Sequence, residues 1–132
     1  VSKVKEFLRF HLYGLGWALF IFIISQVSGR ELPDKIVFGL DKVIHAGLYL
    51  ILCFVVLVGE GKRKKDRFYL SYTQHFAVTI CIVYGLLLEL NQMVFAIGRH
   101  FDIGDAAANS VGVFLGWMVF TWIYKNTLRQ EI

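Results

Sequence analysis

The chain has 132 residues, 57% of them hydrophobic and 16% aromatic, with a formal net charge of +4 and a mean hydropathy of +0.59. These values place it in the membrane class, as one domain spanning residues 1–132. In a soluble protein the +4 balance would point to nucleic acid; here its distribution along the chain points to membrane topology, and no nucleic-acid partner is expected.

A membrane-crossing helix needs roughly 20 mostly apolar residues. Hydropathy predicts four such helices, at about 10–28, 43–60, 71–97 and 105–124, which leave no length for a soluble domain. The first carries the run Trp17-Ala18-Leu19-Phe20-Ile21-Phe22-Ile23-Ile24 behind Lys3, Lys5 and Arg9. It has the look of a secretory signal, but its apolar core exceeds the roughly 7–15 residues of a signal, and Val27-Ser28-Gly29 is a weak cleavage site. A retained helix is expected. In the connection 29–41, Pro33 is expected to break any helix, with Ile36, Val37, Phe38 and Leu40 dipping into the interface.

The second helix holds the stretch Leu48 to Val58 without a charge, and the third passes through Ile80-Cys81-Ile82-Val83 to the ionisable Glu89. Cys53 and Cys81 have neither paired spacing nor a metal-ligand pattern, and read as buried structural thiols. His11 and His75 read as incidental, and His100 as a loop residue. The short connection 98–104 makes the third and fourth helices antiparallel neighbours. On the fourth helix Gly112 and Gly116 form a small-xxx-small pair, suited to close packing within the chain or to a homo-oligomer.

Basic residues set the expected orientation. Lys62, Arg63, Lys64, Lys65 and Arg67 crowd one loop; Lys3, Lys5 and Arg9 precede the first helix, and Lys125 and Arg129 follow the fourth. These ten of the fourteen basic residues fall on one side, which the positive-inside rule makes cytoplasmic. Binding of anionic lipid by the loop is a sharper alternative. The expectation is an all-α membrane protein, a four-transmembrane-helix bundle with both termini cytoplasmic.

Threaded this way, the ionisable residues converge on the extracytoplasmic side. Asp41 and His45 are four apart on one helical face, with Lys42 three before His45. Glu89 and Gln92 share a face near the end of the third helix, one turn above Gly85. Asp105 and Asn109 share a face near the start of the fourth, and Arg99 and Asp102 lie in the loop before it. Asp41 and Asp105 also read as N-caps, and Arg99 as a headgroup anchor. Glu89 resists such an account, because a lone carboxylate about two turns inside the membrane costs several kcal/mol unless paired; Lys42, His45 or Arg99 would serve as its partner.

In order and spacing, Asp41-Lys42-x-x-His45, Glu89-x-x-Gln92 and Gly98-Arg99-x-x-Asp102-x-x-Asp105-x-x-x-Asn109-x-x-Gly112-x-x-x-Gly116 resemble the motifs of VanZ-like membrane proteins. The resemblance covers residues from about 41 to 120; the first helix carries no comparable motif. It implies an integral protein of the bacterial cytoplasmic membrane with a role in the cell envelope, linked through the founding member to resistance to the glycopeptide teicoplanin. It supplies no settled reaction.

Three functions fit the residues. In a membrane enzyme acting on a lipid, lipid-linked glycan or cell-wall precursor, His45 oriented by Asp41 would be the general base and Glu89 the complementary acid, with Asp105 beside them. Lys42 and Arg99 would hold phosphate or carboxylate, while Gln92, Asp102, Asp105 and Asn109 position the head group. In a non-catalytic protein the same cluster would bind a lipid head group or antibiotic. In a structural protein it would fix helix register or recruit an envelope partner. No nucleophilic Ser or Cys accompanies His45, and no cofactor is named. A divalent metal on His45, Glu89, Asp102 or Asp105 stays open, without a recognised spacing to favour it.

Overall fold

The computed structural model describes residues 2–27, 34–63, 67–95 and 103–126, with side chains for 2–26, 40–62, 72–94 and 103–123. These residues form α1 (Lys3–Val27), α2 (Asp34–Arg63), α3 (Arg67–Phe95) and α4 (Ile103–Asn126), with no strand among them. Each helix contains a stretch long and apolar enough to cross a membrane. The shortest of these, Ile103–Ile123, has 21 residues. At 1.5 Å per residue it reaches about 31 Å, against a hydrocarbon thickness of roughly 30 Å. Exposed Leu19, Ile23, Leu87, Phe114, Met118 and Trp122 give the bundle an apolar exterior, suited to acyl chains rather than water.

The helices alternate in direction. The start of α1 meets the end of α2 at His11 and Glu60, while the end of α1 meets the end of α3 at Ser25 and Gln92. The parallel pair α2 and α4 is in register from Lys42 and Asp105 at one end to Gly61 and Phe120 at the other. The start of α1 and the end of α4 therefore share one end of the bundle.

Two helix starts differ from expectation. Residues 34–42 are not an interfacial loop but the first turns of α2, which begins immediately after Pro33 in the sequence. Proline is tolerated at a helix entrance, where its missing N–H would be unpaired anyway. Asp41 consequently lies two turns inside α2, and the capping account of it fails. The fourth helix starts at Ile103, which puts Asp105 in its first turn rather than before it.

The core is made where α2 meets α4 and α3. Cys53, Leu57 and Val113 are completely buried, with Cys81 beside them, as the cysteine reading anticipated. A Cβ on Gly112 would stand 2.2 Å from the Ala46 carbonyl oxygen, and one on Gly116 2.5 Å from that of Leu50. Only glycine lets these two backbones approach so closely. Both glycines are thus occupied by α2 of the same chain.

Helix α1 is held differently, by directional bonds. The Trp17 indole donates to the Leu48 carbonyl at 2.9 Å, the Tyr84 hydroxyl to that of Ala18 at 2.5 Å, and the Gln92 amide to that of Ser25 at 2.9 Å. Gln26 adds a bond to Asn91 at 3.2 Å.

Gly112→Ala should lower stability by roughly 3 kcal/mol or prevent recovery of folded protein, since its methyl group meets backbone that cannot give way. Gly16→Ala, with nothing within 4 Å of the added carbon, should leave the thermal midpoint in detergent unchanged or slightly raised.

Candidate functional site

Close approach of α2 and α4 brings Asp41, Lys42 and His45 against Asp105 and Asn109. On α2 the i, i+3 and i+4 spacings put all three side chains on the face turned toward α4. Asp105 and Asn109, four apart, occupy the facing side of α4. Below them the Ala46–Gly112 contact closes the gap between the two helices.

The Lys42 ammonium donates to Asp105 Oδ1 and stands 4.0 Å from Asp41 Oδ2. The His45 ring lies between the same carboxylates, with Nε2 3.4 Å from Asp41 Oδ1 and 3.9 Å from Asp105 Oδ2. On its other edge, Nδ1 is 2.9 Å from Asn109 Oδ1. An amide oxygen only accepts, so Nδ1 carries hydrogen and donates. Nε2 is the ring nitrogen that faces the two acids. The side chains of Lys42, His45 and Asp105 are 22%, 20% and 13% exposed, whereas Asp41 is 35% exposed and forms the accessible lip.

Glu89 belongs to the neighbouring wall. It is 3% exposed on α3, five residues before the end of the span Tyr72–Val94, or about 7 Å along the helix axis. The Tyr49 hydroxyl is within its electrostatic reach. Gly85, one turn below, lets α3 close on Tyr49 and Asn109: a Cβ there would meet a Tyr49 ring carbon at 3.1 Å and Asn109 at 3.4 Å. Asn109 therefore joins the two walls, accepting from His45 on α2 while packed against α3 at Gly85. Gln92, expected to bind substrate, donates to the Ser25 carbonyl and ties α3 to α1. Arg99, His100 and Asp102 lie outside the described residues.

Chemically, the cluster offers a tautomer-fixed imidazole, two carboxylates and a cation. Ser110, the hydroxyl next to Asn109, donates to the Ala106 carbonyl at 3.0 Å and is engaged by its own helix. Asp41, His45 and Asp105 each present one ligand atom within 4.8 Å of the others, so these three could hold a divalent cation. Lys42 already supplies positive charge to the same two carboxylates and would compete with it.

Sequence reasoning missed a second buried ionisable pair. His11 on α1, expected to be incidental, bonds through Nε2 to Glu60 Oε1 on α2, with side chains each 8% exposed. Gly59 makes room for the contact, since a Cβ there would meet the Phe10 carbonyl at 2.6 Å. The signal was a lone acid, Glu60, at the membrane edge of a strongly basic segment.

A family model described as VanZ/LLP1 matches residues 7–124, so the match takes in all four helices, including the first. Comparison with curated proteins and with solved structures gives no match.

Lys42→Met should destabilise the protein by roughly 2–4 kcal/mol, because it leaves Asp105 partly buried without its cation. Adding Asp105→Leu should recover a good part of that loss. Thermal unfolding of the two single variants and the double variant in one lipid environment measures the coupling.

Proposed function

We propose that this chain, which belongs to the VanZ/LLP1 family, is a cell-envelope protein linked to glycopeptide resistance, whose α2–α4 cluster acts on the polar head group of a lipid, lipid-linked glycan or cell-wall precursor. The observation that carries this reading is the orientation of His45. Asn109 holds Nδ1–H at 2.9 Å, and Nε2 is presented to Asp41 and Asp105. A purely structural ion pair has no need of a fixed tautomer. A general base does, since its working nitrogen must face the proton it removes.

In this mechanism a substrate hydroxyl or water enters past the lip at Asp41 and gives its proton to Nε2. Asp41 and Asp105 stabilise the imidazolium that forms, while Asn109 holds the opposite ring nitrogen and fixes the orientation of the ring. Lys42 attracts the phosphate or carboxylate of the head group while bound to Asp105. In this reading Glu89, buried one turn above Gly85, would return a proton to a leaving group. Arg99 and Asp102, in the connection entering α4, would add to head-group recognition.

A second reading is favoured by one observation. Lys42 is already paired with Asp105, and the neighbouring Ser110 is engaged with backbone, so the charged groups pair within the cluster, which holds no nucleophile among the described residues. Such a cluster would bind a head group or glycopeptide antibiotic without altering it.

The basic residues at the end shared by the chain termini favour a cytoplasmic position for that end, with the cluster extracytoplasmic. Reporters fused after Glu60 and after Gly98 should lie on opposite sides of the membrane, the second outside; the reverse result would put the cluster in the wrong compartment.

Purified wild type and Glu89→Gln, each supplied with total envelope lipid, should differ by about 100-fold or more in product detected by mass spectrometry, the usual scale of general acid–base catalysis. His45→Ala should behave like Glu89→Gln, while Lys64→Ala keeps full turnover. Equal lipid binding with no product from any of them would overturn catalysis in favour of binding.

A further inference from the structure

The end of the bundle opposite the candidate site contains a cavity of about 610 Å³ between α1, α2 and α3. Its head is the buried His11–Glu60 pair, its floor is Leu52 and Ala77, and its far end reaches Cys81 and Tyr84. From Glu60 to Leu52 is eight residues of α2, and from Tyr72 to Tyr84 twelve of α3, or about 12 and 18 Å of helix. One leaflet of a bilayer supplies about 15 Å of hydrocarbon. The cavity is thus one leaflet deep.

We infer that this cleft is a binding site for a single anionic phospholipid, with an acyl chain between α1 and α3 and its head group at the end of the bundle where α1 begins. Position identifies the occupant. The cleft lies within the apolar spans of three helices, and its mouth is edged by Leu15, Phe76 and Ile80, which are 49%, 60% and 48% exposed. Outside that mouth the available material is acyl chain. A cavity walled by side chains of this kind does not retain water, and left empty it would forfeit the contacts of its lining.

Charge identifies the head group. Lys3, Lys5, Arg9 and Lys62 are all exposed at this end, against the exposed acid Glu6. Cations at the headgroup level attract anionic lipids. The His11–Glu60 pair lies just inside them, where the ester region of a seated lipid would fall. There the His11 ring, held by Glu60, is the group that can donate to an ester oxygen of the lipid, and the apolar walls beyond take its chain. A pair of ionisable groups at this depth costs stability that an apolar pair would not, and a polar ligand accounts for its presence.

The test uses the full chain in nanodiscs of phosphatidylcholine containing a phosphatidylglycerol probe with a diazirine in the distal half of one acyl chain. After illumination, labels should concentrate on peptides carrying Leu52, Ala77 and Cys81. Ile80→Trp, which fills the mouth from an exposed position, should lower that labelling about tenfold, the effect of one order of magnitude in affinity. Val83→Trp, on an exposed face outside the cleft, should leave it unchanged. A phosphatidylcholine probe of the same chain length should label the cleft less than phosphatidylglycerol, and Arg9→Gln with Lys62→Gln should remove the difference. Labels spread evenly over the outward faces, or equal labelling of wild type and Ile80→Trp, would overturn the site. Equal labelling by the two probes in the wild type would overturn its preference for anionic lipid.

Discussion

The contact on which the rest of the structure depends is the approach of the α2 and α4 backbones at Ala46–Gly112 and Leu50–Gly116. Without it, Asn109 could not accept from His45, and Lys42 could not reach Asp105. In a bilayer, apolar side chains gain little by leaving lipid for protein, so helix association relies on close packing and on polar bonds that lipid cannot supply. This chain uses both at adjacent levels of the same helix pair. Two glycines remove the side chains that would hold the backbones apart, and the polar residues one turn above take advantage of the proximity.

Polar chemistry is placed at opposite ends of the bundle, and in each case a glycine accompanies it. Gly112 lies below the Asp41–Asp105 cluster, Gly85 beside Asn109, and Gly59 against His11. Between the two levels lie Cys53, Leu57, Cys81 and Val113, buried and apolar in character. Distance separates the two clusters: His45 and Glu60 stand 15 residues apart on α2, or about 22 Å of helix, so each can be altered with little effect on the charge of the other.

The number of helices and their membrane character were legible because four long apolar stretches admit little else. The α2–α4 cluster was legible from the i, i+3 and i+4 spacing of Asp41, Lys42 and His45, and of Asp105 and Asn109. Helix entrances were less so. Pro33 was read as a break, yet it permits a helix to begin at the next residue, and that converted Asp41 from a cap into a side chain on the face of α2. The His11–Glu60 pair escaped notice because its members are 49 residues apart and neither falls in a motif. Its formation depends on α1 crossing α2 at Gly59, a tertiary fact with only a weak local trace.

The attachment of α1 has a consequence for how the protein tolerates change. Its bonds to Leu48, Tyr84, Glu60 and Gln92 are arranged along its length like the rungs of a ladder. Three of the four use a backbone carbonyl as acceptor, on α2 or on α1 itself. Such an acceptor is present whatever side chain stands at that position. Leu48, Ala18 and Ser25 can therefore drift in sequence while the rungs survive, and the identity of α1 is stored mostly in the donors that reach it or leave it: Trp17, Tyr84 and Gln92. Losing one rung leaves the rail held at the others, so this helix should fail by stages, whereas the glycine-packed pair behind it fails at once.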